Sequence, residues 1–165
     1  MEALMGIANS KDEYSFQKMK EAIEKTGTFI DIIPLGAIEG LKKIAKGNPD
    51  KNIIKNIASL LINKSNYGNA NGVRESATSA LTDFLLEENK LIQQVYDKLL
   101  NLLDDNWAHV RTSACDAFGN AFAYDAIEDL QIDKNLIDKV ISKLQQISQN
   151  DLDGLVKRHA QLSIE

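Results

Sequence analysis

The stretch DDNWAHVRTSACDAF, from Asp104 to Phe118, decides the fold. It places the chain's only Trp, its only Cys and one of its two His within nine residues, from Trp107 to Cys115. Such a cluster invites a chemical reading. Its spacing supports a different one. The stretch reduces to Val110-Arg111-x-x-Ala114-x-x-Ala117-Phe118, and the same pattern returns along the chain. Upstream it reads Val73-Arg74-x-x-Ala77-x-x-Ala80-Leu81, and before that Ile33-Pro34-x-x-Ala37-x-x-Gly40-Leu41. Downstream it reads Val156-Lys157-x-x-Ala160-x-x-Ser163-Ile164. The intervals are 40, 37 and 46 residues.

Small residues spaced by three and four fall on one stripe of a helix. A stripe of Ala, Gly and Ser lets a neighbouring helix approach closely, and the large residues at either end fill the space beside the contact. Gly36, Gly40 and Gly119 belong to the same close-contact positions. Ahead of each small-residue helix lies an apolar one with a 3.6-residue period. These are YSFQKMKEAIEK, NIIKNIASLLINK, LIQQVYDKLLNLL and NLIDKVISKLQQI. The repeating unit is therefore a helical hairpin of roughly 40 residues, within the range of HEAT and armadillo repeats. About four such hairpins predict an all-α fold, an αα-superhelix spanning residues 1–165 as a single repeat domain.

Composition agrees. The chain has 165 residues, 44% apolar and 26% charged, with only two Pro. Its net charge of −5 opposes nucleic-acid binding, which needs a surplus of Lys and Arg. No apolar run reaches the roughly 18 residues of a membrane span. One cysteine, Cys115, excludes an internal disulfide and suits a reducing compartment, so a cytoplasmic location is expected.

The chemical reading of the cluster fails on geometry. Six residues separate His109 from Cys115, roughly 600° of helical rotation, so the two point to opposed faces. His159 lies far along the chain. No CxxC, HExxH, GxGxxG or Walker pattern occurs. No cofactor is expected in this segment. Cys115 reads as a buried small apolar residue beside Ala114. Trp107 reads as a staple against the preceding helix. Trp107, His109 and Arg74 are nonetheless candidate contacts for a protein or peptide partner, with Arg74 and Arg111 able to hold a carboxylate. The Asn- and Gly-rich NKSNYGNANG predicts a turn with a helix cap near Asn71.

The repeats resemble the HEAT family, in which an Asp stands six positions before a basic residue opening the second helix. Here Asp105 precedes Arg111, and Asp151 precedes Lys157. The resemblance implies a ladder of Asp105, Arg111, Asp151 and Lys157 between adjacent repeats. The earlier units depart from it, with Gly68 in place of the Asp before Arg74 and Pro34 in place of the basic residue. Pro34 is compatible with a first helical turn.

A narrower resemblance rests on FIDIIPLGAIEGLKKI, GVRESATSALTDFL, DDNWAHVRTSACDAF and DLDGLVKRHAQ taken in order. They are similar to the C-terminal helical-repeat region of zinc aminopeptidases of the puromycin-sensitive type, in their archaeal and bacterial branches. That resemblance implies a non-catalytic domain that encloses the active-site chamber and limits peptide access. Its partner would be an upstream catalytic domain, which would hold the zinc. The family's HExxH and GxMEN motifs are absent, so no catalytic or metal-binding residue carries over. The alternative is a stand-alone HEAT-like scaffold for protein–protein interaction.

Repeat phase adds an expectation about both ends. MEALMGI aligns with the tail of a second helix, and KRHAQLSIE stops where a second helix would still run. A segment of a longer protein is expected, with Leu4, Ile7, Phe16 and Met19 exposed at one end and Leu155, Leu162 and Ile164 at the other.

Overall fold

The computed structural model describes residues 2–24, 32–85, 90–123 and 134–165. Helices account for most of them, and no strand forms among the described residues. The chain divides into two compact units, Met1–Asp83 and Phe84–Glu165.

In the first unit α1 spans Glu2–Ile7 and passes through a 3-10 turn, Ala8–Ser10, to α2 at Glu13–Glu24. Helix α3 follows at Ile32–Ala45, α4 at Lys51–Lys64 and α5 at Asn71–Leu81. Helix α2 packs on α3, α4 packs on α5, and α3 packs on α5. Three of these starts have a local cause. The Asp12 carboxylate accepts the Ser15 N–H at 2.8 Å and the Ser15 hydroxyl at 2.7 Å, opening α2. Asp50 caps α4, its Oδ1 accepting from the Asn52 N–H at 2.8 Å and more weakly from Ile53. Pro34 is the third residue of α3, where its missing N–H costs no helical bond. Asn48, 4% exposed, donates to the Lys11 and Ile44 carbonyls and ties the end of α3 to the turn before α2.

A 3-10 turn, Thr82–Phe84, follows α5 in the chain. The second unit holds four helices among the described residues. Helix α6 spans Lys90–Leu102, α7 Ala108–Ala123, α8 Lys134–Asn150 and α9 Gly154–Leu162. Helix α6 packs on α7, α7 on α9, and α8 on α9. Asp153 caps α9 through the Leu155 and Val156 N–H groups at 2.8 and 3.2 Å.

The small-residue stripe lies in the core. Ala37, Ala77, Ala114 and Ala160 are fully buried, and so are Ala80 and Ala117. The closest approaches fall on its glycines. A Cβ on Gly119 would stand 2.8 Å from Ser163 Oγ and 3.1 Å from Ser163 Cα. A Cβ on Gly40 would collide with Met19 Sδ. The apolar helices alternate as their period requires, with Ile53, Ile54, Ile57 and Leu61 buried on α4 and Val140, Leu144 and Ile147 on α8.

Four expectations need correction. Ile33, at the first pattern position, is 49% exposed, whereas Val73, Val110 and Val156 are buried. It lies in the first turn of α3, and Pro34 takes the buried place beside it. Asn71 does not cap α5. The N-cap is Ala70, without a side-chain bond, and Asn71 is the first helical residue. Phe16 and Met19 are not exposed, at 5% and 0%. They pack inward because α2 lies on α3, with Met19 against Gly40. Trp107 is 40% exposed rather than stapled down. Leu155 and Leu162 are exposed, Ile7 and Ile164 partly so, and the Leu4 side chain lies outside the described residues, as do residues 124–133 of the long interval.

Candidate interaction site

The four ladder residues lie in the second unit, on the turn before α7, the first turns of α7 and α9, and the turn before α9. Arg111 reaches forward one repeat. Its Nε donates to Asp151 Oδ2 and its Nη2 to Asp151 Oδ1, each at 2.8 Å. Its Nη1 donates to the Asp105 backbone carbonyl at 2.9 Å. The guanidinium thus ties the turn before its own helix to the turn before α9. The two side chains are 15% and 8% exposed. A bidentate pair in that setting is a strong charge-assisted contact.

Asp105 contributes its backbone carbonyl, and its carboxylate accepts the Trp107 N–H at 2.8 Å, shaping the turn into α7. Asp151 also accepts the Asp153 N–H at 2.8 Å. Burial pushes the Asp151 carboxyl up, but the hydrogen bonds from Arg111 and the Asp153 N–H, with the charges of Arg111 and Lys157, outweigh it, and its pKa ends below the usual carboxylate value. Hydrogen bonding to Asp151 holds the Arg111 guanidinium more firmly protonated. Lys157 acts on Asp151 as a nearby charge, and among the described residues no carboxylate lies within 4 Å of its Nζ.

Beside the ladder opens a cleft of about 330 Å³. Leu103, Ile147 and Leu152 supply its apolar lining, and Gln146 and Asn150 supply amides one helical turn apart on α8. Lys143 crosses it to Asp104 at 2.6 Å. Leu152 is wholly exposed at the rim.

The remaining candidates separate. Trp107 and His109 lie together, ring centroids 5.8 Å apart, both on the surface. Arg74 is 1% exposed, so the expectation of a partner contact there is corrected. The Tyr67 ring lies 5.4 Å over its guanidinium, and its Nη2 donates to Asn71 Oδ1 at 2.9 Å. Gly68, with φ of +105°, turns the loop that carries Tyr67. Cys115 is fully buried, and burial, helped by the charges of Asp116 and Asp151, pushes its thiol up to about 12. A neutral buried thiol is no nucleophile. Among the described residues no group of three or more His, Cys, Asp or Glu could hold a metal ion, and no helix is long and apolar enough to cross a membrane.

Sequence reading missed two links. His159 Nδ1 lies 2.6 Å from Asp116 Oδ1, joining α9 to α7. The Ser163 hydroxyl lies 2.8 Å from the Cys115 carbonyl. With Lys143 and Asp104, these partners stand 39 to 48 residues apart, about one repeat. Complementary residues one repeat length apart were the available signal.

Residues 71–121 match the family model of a HEAT-like repeat. No curated protein matches the chain. A solved structure with a similar fold is the crystal structure of an engineered protein from the Northeast Structural Genomics Consortium. It shares 16% identity with a TM-score of 0.53, over 99% of this chain and 87% of its own. The fold is thus all-α, of HEAT-like helical hairpins.

Proposed function

We propose that this chain is a non-catalytic scaffold of HEAT-like hairpins that binds a protein partner, with the cleft beside Arg111 as its contact. HEAT-like repeats generally serve protein–protein interaction, and the cleft carries the assignment to this surface. Its lining offers apolar contact and side-chain amides, suited to an extended peptide segment. Its charged groups are already engaged, Arg111 by Asp151 and Lys143 by Asp104, so they fix the shape of the cleft rather than supply reactive groups. A photoreactive residue at Leu152 tests this in an extract of the native cell. A defined protein adduct is expected, and the same probe at Glu13 should not yield it. Equal labelling from both positions sinks the assignment.

The narrower reading makes the scaffold the wall of a zinc aminopeptidase chamber. Its support is the order and wording of the four segments FIDIIPLGAIEGLKKI, GVRESATSALTDFL, DDNWAHVRTSACDAF and DLDGLVKRHAQ. An upstream HExxH in the same coding sequence would select it. On either reading this chain alone should not hydrolyse aminoacyl-nitroanilides, with or without zinc. Turnover abolished by changing His109 or His159 would overturn both. A cytoplasmic setting fits the single buried cysteine.

A further inference from the structure

The chain contains one Asn-Gly pair, Asn71-Gly72, and it opens α5. Asn71 is exposed, so water reaches its side chain. Ala70 offers no side-chain cap, and the Arg74 N–H bonds the Ala70 carbonyl at 2.9 Å. The Gly72 N–H, two residues earlier, is among the four that a helix start leaves without an intrahelical acceptor. Glycine also lacks the Cβ that would crowd its nitrogen against a neighbouring side chain. Asn71 is met from the other side by a cation. Arg74 Nη2 donates to Asn71 Oδ1 at 2.9 Å. A guanidinium only donates, so the atom facing it is the amide oxygen and not the amide nitrogen. Arg74 is 1% exposed and the Tyr67 ring lies 5.4 Å over it, which holds the charge in place beside Asn71.

We propose that Asn71 is a self-modifying site, converted to aspartate by its own chain with Arg74 directing the product. Ring closure requires the uncapped first turn to open, as helix ends do most readily. The Gly72 nitrogen then attacks Asn71 Cγ and gives up its proton. Negative charge develops on Oδ1, the atom that Arg74 faces, as toward the donor of an oxyanion hole. The Cγ–Nδ2 bond breaks, Nδ2 takes the proton, and ammonia leaves a five-membered succinimide. Water opens that ring at one of two carbonyls. Attack at Cγ breaks its bond to the Gly72 nitrogen and gives aspartate. Attack at the Asn71 main-chain carbonyl gives isoaspartate and lengthens the backbone. Arg74 polarises the Cγ carbonyl alone, so water is directed there and the main chain is preserved. The new carboxylate faces both Arg74 and the positive end of α5. The unit that has Gly68 in place of the pattern's Asp thereby gains a carboxylate against its Arg.

The test follows the full chain at neutral pH, folded and in denaturing urea. Tandem mass spectrometry of the tryptic peptide 65–74 locates the amide-to-acid change, and isoaspartyl methyltransferase labels only the isoaspartate product. The folded chain should convert at Asn71 with aspartate as its main product. The same chain in urea, where Arg74 is no longer held beside Asn71, should give mainly isoaspartate. Gly72→Ala should slow conversion of the folded chain about tenfold. Arg74→Leu, with folding checked by circular dichroism, should shift the product ratio to that seen in urea. If this variant does not fold, the comparison of the parent in its two states decides. Asn71→Asp should raise the melting temperature. An Asn71 that stays intact in the folded chain while it converts in urea overturns the proposal, and so does one product ratio common to both states. An Asn71→Asp protein that melts below the parent does the same.

Discussion

Arg111 holds Asp151 by two parallel hydrogen bonds of 2.8 Å across forty residues of chain. Both side chains are largely shielded from water, so removing one leaves the other a shielded, unpaired charge. Arg111→Ala and Asp151→Ala should each destabilise the second unit by roughly 2–3 kcal/mol. The double variant should lose less than the sum. Arg111→Lys should recover only part, because an ammonium cannot form both parallel bonds. Denaturant titration of the four proteins measures this.

The same pair sets an acid limit. Asp151 has a folded pKa below its ordinary value of 3.8. Its contribution is therefore present above that value and is lost as pH falls through the lower folded value. Melting temperature should fall more steeply below pH 4 in the parent protein than in Asp151→Asn.

Gly119 and Gly40 should respond differently to alanine. At Gly119 the new methyl meets the Ser163 backbone, which cannot swing aside. Gly119→Ala should cost about 1–3 kcal/mol despite its better helix propensity. At Gly40 the obstacle is the thioether of Met19, which can rotate, so Gly40→Ala should fall within about 1 kcal/mol of neutral. Thermal melts of the two variants decide the order.

Ala77 and Ala114 are fully buried on the stripe. Leucine at either should overpack the contact and cost on the order of 1–3 kcal/mol. An unchanged melting temperature for Ala114→Leu would contradict that packing.

Tyr96 is fully buried with its ring 5.5 Å from Phe118, and its hydroxyl has no hydrogen-bond partner among the described residues. Tyr96→Phe should therefore stabilise by about 1 kcal/mol. Burial pushes the phenol up from 10.0 to about 12. Its contribution is full below pH 10 and disappears as pH rises through the folded value, so the phenylalanine variant should lose less stability in alkali. Melting curves at pH 7 and pH 11 test both signs.

Sequence alone determined the all-α class, the hairpin unit and the identity of its close-contact face. Those depend on periodicity, and a stripe of Ala, Gly and Ser at spacings of three and four can serve only one side of a helix. Sequence also marked Asp105, Arg111 and Asp151 as charged residues in a repeating register. Only the tertiary structure decided how they are used. Arg111 takes the Asp105 carbonyl and the Asp151 carboxylate, because the turn before α9 comes alongside the start of α7. Arg74, which carries the same local signature, is instead covered by Tyr67 and bonded to Asn71. Burial of Phe16 and Met19 was likewise settled by α3, a neighbour distant in sequence. A helix's period fixes which residues share a face. Whether that face meets another helix, and which polar group closes on which, depends on long-range packing that no local spacing encodes.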